Sequence, residues 1–160
     1  MNFSIFPATI EHKQAVQNLM QFYIYDFSEY LKIDVQENGL FAPYPHFEDY
    51  WEEYVNRFPY VIMQGAHYVG FVFVRWIEST DKNYFSMAEF FILRKYRLSG
   101  IGKSIAIQIF DLHKGPWEVF QRESNEPAHL FWKKVITDYT KGQFTERFEE
   151  GKYIQSFQNS

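Results

Sequence analysis

The chain of 160 residues has no cysteine. That excludes disulfides and thiolate metal sites, and it fits a reducing compartment such as the cytoplasm. Histidine is scarce: His12, His46, His67, His113 and His129 never fall at the short spacings of a metal-ligating pair, so no metal is expected. There is no apolar run of about 18 residues and no basic-plus-apolar leader, so neither a membrane span nor an export signal is expected. Positive charge is in deficit. The 16 Lys and Arg against 20 Asp and Glu leave a net charge of −4, which argues against a nucleic-acid partner, since such proteins carry a basic patch or stripe. Glycine and proline number 8 and 6 and form no low-complexity tract, so no linker is read. The length reads as one domain, residues 1–160, able to bury roughly 68–70% of its unfolded surface.

What the chain has in excess is aromatic rings, 21% of residues, with 18 Phe and 12 Tyr. A phenylalanine-rich core takes most of the Phe. The surplus Tyr and Trp carry polar handles and suit a cleft or an interface. An aromatic surface and open sheet edges are compatible with either a monomer or a homodimer.

Periodicity predicts a strand at 2–7, then a helix at 10–31 capped by Thr9 with Glu11 nearby, whose apolar positions run Val16, Leu19, Met20, Tyr23, Ile24, Phe27 and Leu31. Asn38-Gly39 and the prolines at 43 and 45 mark a loop, followed by a shorter helix at 47–57. A hairpin over 60–76, turning at 64–67, leads to a strand at 84–93 and a helix ending at 113. A strand at 117–121, a helix at 126–139 and a hairpin over 143–157 complete the order β-α-α-β-β-β-α-β-α-β-β. This is a mixed α/β sheet with helices on its faces.

Between the strand at 84–93 and the next helix lies Arg97-Leu98-Ser99-Gly100-Ile101-Gly102-Lys103-Ser104. Two glycines there let the backbone approach a ligand and leave N–H groups at the positive end of a helix dipole, an anion site suited to phosphate. A Walker loop would need glycine where Arg97 stands, although Gly102-Lys103-Ser104 fits its end. A dinucleotide turn would need a small residue where Ile105 stands. A nucleotide-binding domain is therefore the weaker alternative.

What remains, Arg97-x-x-Gly100-x-Gly102, resembles the Arg/Gln-x-x-Gly-x-Gly/Ala signature of the GNAT superfamily of acyl-CoA-dependent N-acetyltransferases. The element order is that of the GNAT fold over its whole length. A second segment, Asn125-Glu126-Pro127-Ala128-His129-Leu130-Phe131-Trp132, resembles the family's Asn-x-x-Ala-x-x-Phe-Tyr. The resemblance implies that acetyl-CoA is the co-substrate. The turn, residues Arg97, Leu98, Ser99, Gly100, Ile101, Gly102, Lys103 and Ser104, would grip its pyrophosphate. Backbone amides at Phe91, Ile92 and Leu93 would align the pantetheine and polarise the thioester, and Asn125 with the following helix would hold the pantetheine arm. For Lys103 a solvated helix-start lysine is the alternative, and for Arg97 a loop anchor.

Acetyl transfer to an amine needs a base, and the sole acid in the run 85–93 is Glu89. Strand alternation puts it on the face of Phe91 and Leu93, and burial beside aromatics would raise its pKa. The alternative is an edge carboxylate paired with Arg75 or Arg94. Where many family members carry a proton-donating tyrosine this chain has Trp132, whose indole does not titrate at neutral pH. Trp132 would instead pack on the pantetheine or donate to the sulfur. Tyr139 is the substitute acid only if the helix end bends inward, and otherwise a packed helix-end residue.

The resemblance puts the acceptor at the first two helices, their loop and the last hairpin. Tyr23, Tyr25, Asp26, Glu29, Tyr30, Asp34, Glu37, Tyr44, Asp49, Tyr50, Trp51, Glu52 and Glu53 interleave acids with aromatics there. That suits a cationic primary amine, small molecule before protein, by charge and cation–π contact, or else gives two helices with solvated acidic faces. With no cysteine, transfer would be direct, in a ternary complex. A CoA-binding module of the same fold that is catalytically silent is the alternative function, motivated by Trp132.

Overall fold

The computed structural model describes residues 2–52 and 55–160. Its strands are β1 (Ser4–Pro7), β2 (Arg57–Gln64), β3 (His67–Glu78), β4 (Asn83–Ile92), β5 (Gly115–Arg122), β6 (Thr145–Glu149) and β7 (Lys152–Asn159). Its helices are α1 (Lys13–Leu31), α2 (Asp49–Glu52), α3 (Ile101–Leu112) and α4 (Glu126–Thr140). The strand order is β1-β2-β3-β4-β5-β7-β6, with β4 and β5 parallel and the pairs β1–β2, β5–β7 and β6–β7 antiparallel. This is the mixed α/β architecture and element order that the sequence predicts. Among the described residues no helix is long and apolar enough to cross a membrane.

Two local expectations are corrected. The second helix does not reach Arg57: α2 is described over Asp49–Glu52, Arg57 opens β2, and residues 53 and 54, Glu53 among them, lie outside the described residues. Pro59 explains this, because it lacks an N–H and biases Phe58 away from helical dihedrals, while the β-forming run Tyr60-Val61-Ile62 pairs with β1. At the start of the first helix the reciprocal cap partner is His12 rather than Glu11. The backbone N–H of Thr9 donates to His12 Nδ1 at 3.0 Å, and a 3-10 turn (Ile10–His12) precedes α1.

The chain divides into two compact units, to each of which β3 and β4 contribute residues. The first runs to Phe73 and includes Glu89–Leu93. Here α1 buries Val16, Leu19, Met20 and Tyr23, and the Tyr23 ring lies 5.7 Å from Phe71 and 5.6 Å from Phe91. Tyr50 of α2 is fully buried and stacks on Phe73 at 4.0 Å. Burying such a ring contributes about 2–3 kcal/mol.

The second unit holds Val74–Ala88 and Arg94–Ser160. Phe110 of α3 centres its core, with ring centroids 4.9 Å from Trp117, 5.0 Å from Phe157 and 6.3 Å from Trp132. Two polar clusters inside it are paired. Gln121 and Gln155 exchange amide hydrogen bonds at 2.7 and 2.9 Å, and Glu118 accepts from Arg147, Lys82 and Ser156.

Candidate active site

In the first unit, β4 carries Glu89 into a tyrosine-lined position. Tyr23, on the buried face of α1, donates its hydroxyl to Glu89 Oε1 at 3.1 Å, and Tyr44, from the loop after α1, makes a second side-chain hydrogen bond to the carboxylate. Burial raises the Glu89 pKa to about 7 against the lowering effect of those two bonds. Burial and the neighbouring carboxylate hold both tyrosines well above the usual phenol range, so they stay protonated as donors. At neutral pH Glu89 is thus near its own midpoint, the condition in which a carboxylate accepts and returns a proton readily. The sequence predicts the raised pKa. It misses the two phenols, and names Arg75 or Arg94 as the alternative partners.

Next to Glu89, Phe91 and Ile92 are buried. The Leu93 N–H donates to the Val69 carbonyl at 2.8 Å, so this amide, expected to face the pantetheine, is engaged by β3. Gly70, which no local sequence pattern marks, makes room for the Phe91 carbonyl: a Cβ there would lie 1.9 Å from its oxygen.

In the second unit, the glycine turn is shaped by its own backbone. After a 3-10 turn (Arg94–Tyr96), the Arg97 N–H donates to Arg94 O at 3.1 Å and Ser99 Oγ to Tyr96 O at 3.0 Å. Leu98 is fully exposed with φ 66°, and Gly100 follows at φ 78°. The first intrahelical bond of α3 is Ser104 N–H to Gly100 O at 3.2 Å. Helix geometry therefore leaves the N–H groups of Gly100, Ile101, Gly102 and Lys103 without intrahelical acceptors. Four such donors at a dipole's positive end fit a pyrophosphate. Ile101 itself is buried.

Gly102 has a further role. A Cβ there would lie 3.2 Å from Phe131 Cε1, so its bareness admits the ring of α4. Lys103 is held by Asp138 of α4 at 2.7 Å, both side chains being partly exposed.

Asn125 caps α4, its Oδ1 accepting the Ala128 N–H at 3.2 Å with Pro127 in the first turn. Capping leaves the Nδ2 donors of this buried side chain for other partners. Trp132 is only 7% exposed, beside Phe131 at 5.0 Å and Phe110. Tyr139 donates to Asp111 Oδ1 at 2.6 Å and accepts from Asn159 Nδ2 at 3.1 Å, and burial with Asp111 raises its pKa. Its hydroxyl thus ties the ends of α3 and α4 together.

In the expected acceptor region, part of the aromatic set is buried, while Tyr25 is exposed beside the acids. Tyr23, Tyr50 and Trp51 are buried, whereas Glu29, Asp34, Glu37 and Glu52 are exposed and Asp49 meets His46 and Arg57. Between α1 and its loop, a cleft of about 490 Å³ is lined by six carboxamides, by Tyr44 and His46, by apolar side chains that include Met20, Phe41 and Phe47, and by a single carboxylate, Glu48, which is ion-paired with Lys13.

Comparison with known proteins agrees with this geometry. Residues 20–136 match the model of the acetyltransferase (GNAT) family. The chain belongs to that family. Its fold is similar to an acetyltransferase of the GNAT family from Listeria monocytogenes (TM-score 0.69, 11% identity, covering 98% of this chain and 95% of that one). It is also similar to the paia N-acetyltransferase of Thermoplasma acidophilum, solved in complex with coenzyme A (0.64, 14%, 99% and 100%). A third similar structure is Arabidopsis thaliana NAA60 in complex with acetyl-CoA (0.63, 10%, 98% and 98%). No curated protein matches the sequence.

Proposed function

We infer that the protein is an N-acetyltransferase moving an acetyl group from acetyl-CoA to a primary amine by direct transfer in a ternary complex. The observation that carries this reading is Glu89, a half-buried carboxylate with a pKa near 7 inside a GNAT-family chain. The N–H groups of Gly100 to Lys103 would bind the pyrophosphate and the Asn125 amide the pantetheine arm. Glu89 takes the proton of the amine, directly or through one water. The amine nitrogen bonds to the thioester carbonyl carbon, the C–S bond breaks, and the departing thiolate takes a proton from water or from a tyrosine. The Tyr139 hydroxyl bonded to Asp111 speaks against that residue as the source.

The acceptor reading is a small amine on a largely uncharged body that presents both polar and apolar groups. Support comes from the carboxamide-lined cleft, whose one carboxylate is neutralised by Lys13, and from the solvated acids around it. This sets polyamines behind amino sugars. A soluble cytoplasmic protein acting as monomer or homodimer fits the composition.

A thiol-release assay with acetyl-CoA and a panel of primary amines tests the activity. Release that rises as pH passes 7 is expected, with loss of about 10²–10⁴ in Glu89→Gln. The buried Trp132 favours one second reading, a silent CoA-binding module. That reading replaces ours if CoA raises the melting temperature yet no amine releases thiol.

A further inference from the structure

The loop between α1 and α2 is fastened at one point by a carboxamide that pairs with backbone in both directions. The Phe41 N–H donates to Gln21 Oε1 at 2.9 Å, and Gln21 Nε2 donates to Phe41 O at 3.1 Å. Gln21 thus acts as a one-residue strand partner on the side of a helix, and Phe41 is buried there. Three residues on, Tyr44 turns inward, its ring 5.9 Å from Phe73 and 6.4 Å from Tyr50, and its hydroxyl bonded to Glu89. Tyr44 also lines the cleft between α1 and its loop. Tyr44 therefore touches both a cleft and the carboxylate, whereas Tyr23 reaches Glu89 from the buried face of α1.

We propose that Tyr44 is a positioning residue for Glu89, and that the Gln21–Phe41 clamp delivers it, so that the seating of this loop sets how tightly Glu89 holds a proton. The inference rests on the reading of Glu89 as the base. Groups facing the carboxylate are Tyr23 from α1 and Tyr44 from the loop, with Tyr50 of α2 behind Tyr44 and Arg57 over the Tyr50 ring at 5.2 Å. A donated hydrogen bond stabilises the ionised carboxylate. A loop lifted away from Glu89 leaves it more basic, and a loop pressed in leaves it less so. A ligand entering the cleft would meet Tyr44 on the way, which couples its arrival to the proton affinity of the base.

The test is a carbon-13 titration of the Glu89 carboxyl by NMR in the full chain, without CoA or amine. Tyr44→Phe should raise the midpoint by about one to two pH units, the worth of one hydrogen bond to a carboxylate. Gln21→Leu keeps the bulk but removes the clamp. It should move the midpoint in the same direction, and the double variant with Tyr44→Phe should move it no further. Tyr23→Phe should shift it independently, adding to Gln21→Leu. Should Gln21→Leu fold poorly, Gln21→Glu keeps the acceptor for Phe41 N–H, loses the donor, and should give a partial shift. An unchanged midpoint in either clamp variant, or additive shifts for Gln21→Leu and Tyr44→Phe, overturns the proposal. A protein that releases no thiol would sink the base role and leave this titration readable. An active protein with an unmoved midpoint sinks the positioning role alone.

Discussion

Gly70 of β3 and Phe91 of β4 come so close that a methyl group on Gly70 would lie 1.9 Å from the Phe91 carbonyl oxygen and 2.9 Å from its carbon. Both contacts are to backbone, which has little room to yield, and Phe91 follows Glu89 by two residues on the same strand. Gly70→Ala should therefore cost about 3 kcal/mol or more in a urea unfolding series. Gly102 gives the contrast. Its nearest obstacle is the Phe131 ring at 3.2 Å, a side chain that can tilt. Alanine removes the flexibility penalty of a helical glycine, so Gly102→Ala should cost under about 1 kcal/mol, and should stabilise by about 0.5–1 kcal/mol once Phe131 is leucine. Equal penalties at the two positions would contradict this account.

Lys103 sits at the third helical position of α3, pointed at a carboxylate of α4 rather than at open solvent. Asp138 and a pyrophosphate would compete for the same ammonium group. Asp138→Asn should thus leave the melting temperature unchanged, since exposed pairs contribute little. It should tighten CoA binding a few-fold, with a steeper loss of affinity on adding salt. Calorimetric titration with CoA at two ionic strengths reads both. If Lys103→Ala leaves affinity and salt dependence untouched, the lysine is a strut between helices and has no part in binding.

The order of elements was legible because each rests on local periodicity, and the glycine turn because Gly100 needs φ 78° in a short span. Contacts distant in sequence were not. The Tyr23–Glu89 bond spans 66 positions, and nothing near Glu89 in the chain marks a phenol as its partner. Arginines close by in sequence were the natural guess, and Tyr44 was visible only as one aromatic among the acids of a loop. Gly102 was read as room for a ligand. Its other neighbour, Phe131, lies on a different helix, and no local pattern signals that approach. The overlong second helix had a local cue in Pro59, which helical spacing over 47–57 outweighed.

Glu89 should make the protein less stable as pH rises. Its carboxyl titrates near 7 when folded and near 4.5 when unfolded. Between those values the folded chain holds a proton the unfolded chain has released, so this contribution is full below 4.5 and is lost as pH rises through 7. Glu89→Gln removes the cost of a buried charge while keeping an acceptor for Tyr23 and Tyr44. The variant should match the parent near pH 4.5 and exceed it by about 2–3 kcal/mol at pH 8 in chemical denaturation. A variant less stable at pH 8 would mean the carboxylate is a structural anchor and not a strained functional group.

The acid limb should have two separable causes, both in the second unit. His113 is buried beside Phe85 and Trp117, and desolvation lowers its pKa to about 4 from 6.5. The unfolded chain binds that proton first, so stability present above 6.5 declines as pH falls toward 4, by about 3 kcal/mol at most. Glu118 behaves differently. Burial pushes its pKa up, but hydrogen bonds from Arg147, Lys82 and Ser156 overcome this and hold it near 2, against 4.5 unfolded. Its contribution is present above 4.5 and is lost as pH falls through 2, again by about 3 kcal/mol at most. Over 4.5–6.5 Glu89 works against His113, gaining stability while the imidazole loses it, so the wild-type curve should look nearly flat there. The Glu89→Gln background removes that compensation. In it, His113→Phe should abolish the slope between 6.5 and 4, and Glu118→Gln the slope between 4.5 and 2, at the expense of lower stability at neutral pH because Arg147 loses its partner. A slope above pH 4.5 that survives His113→Phe in this background would show that another group carries the limb.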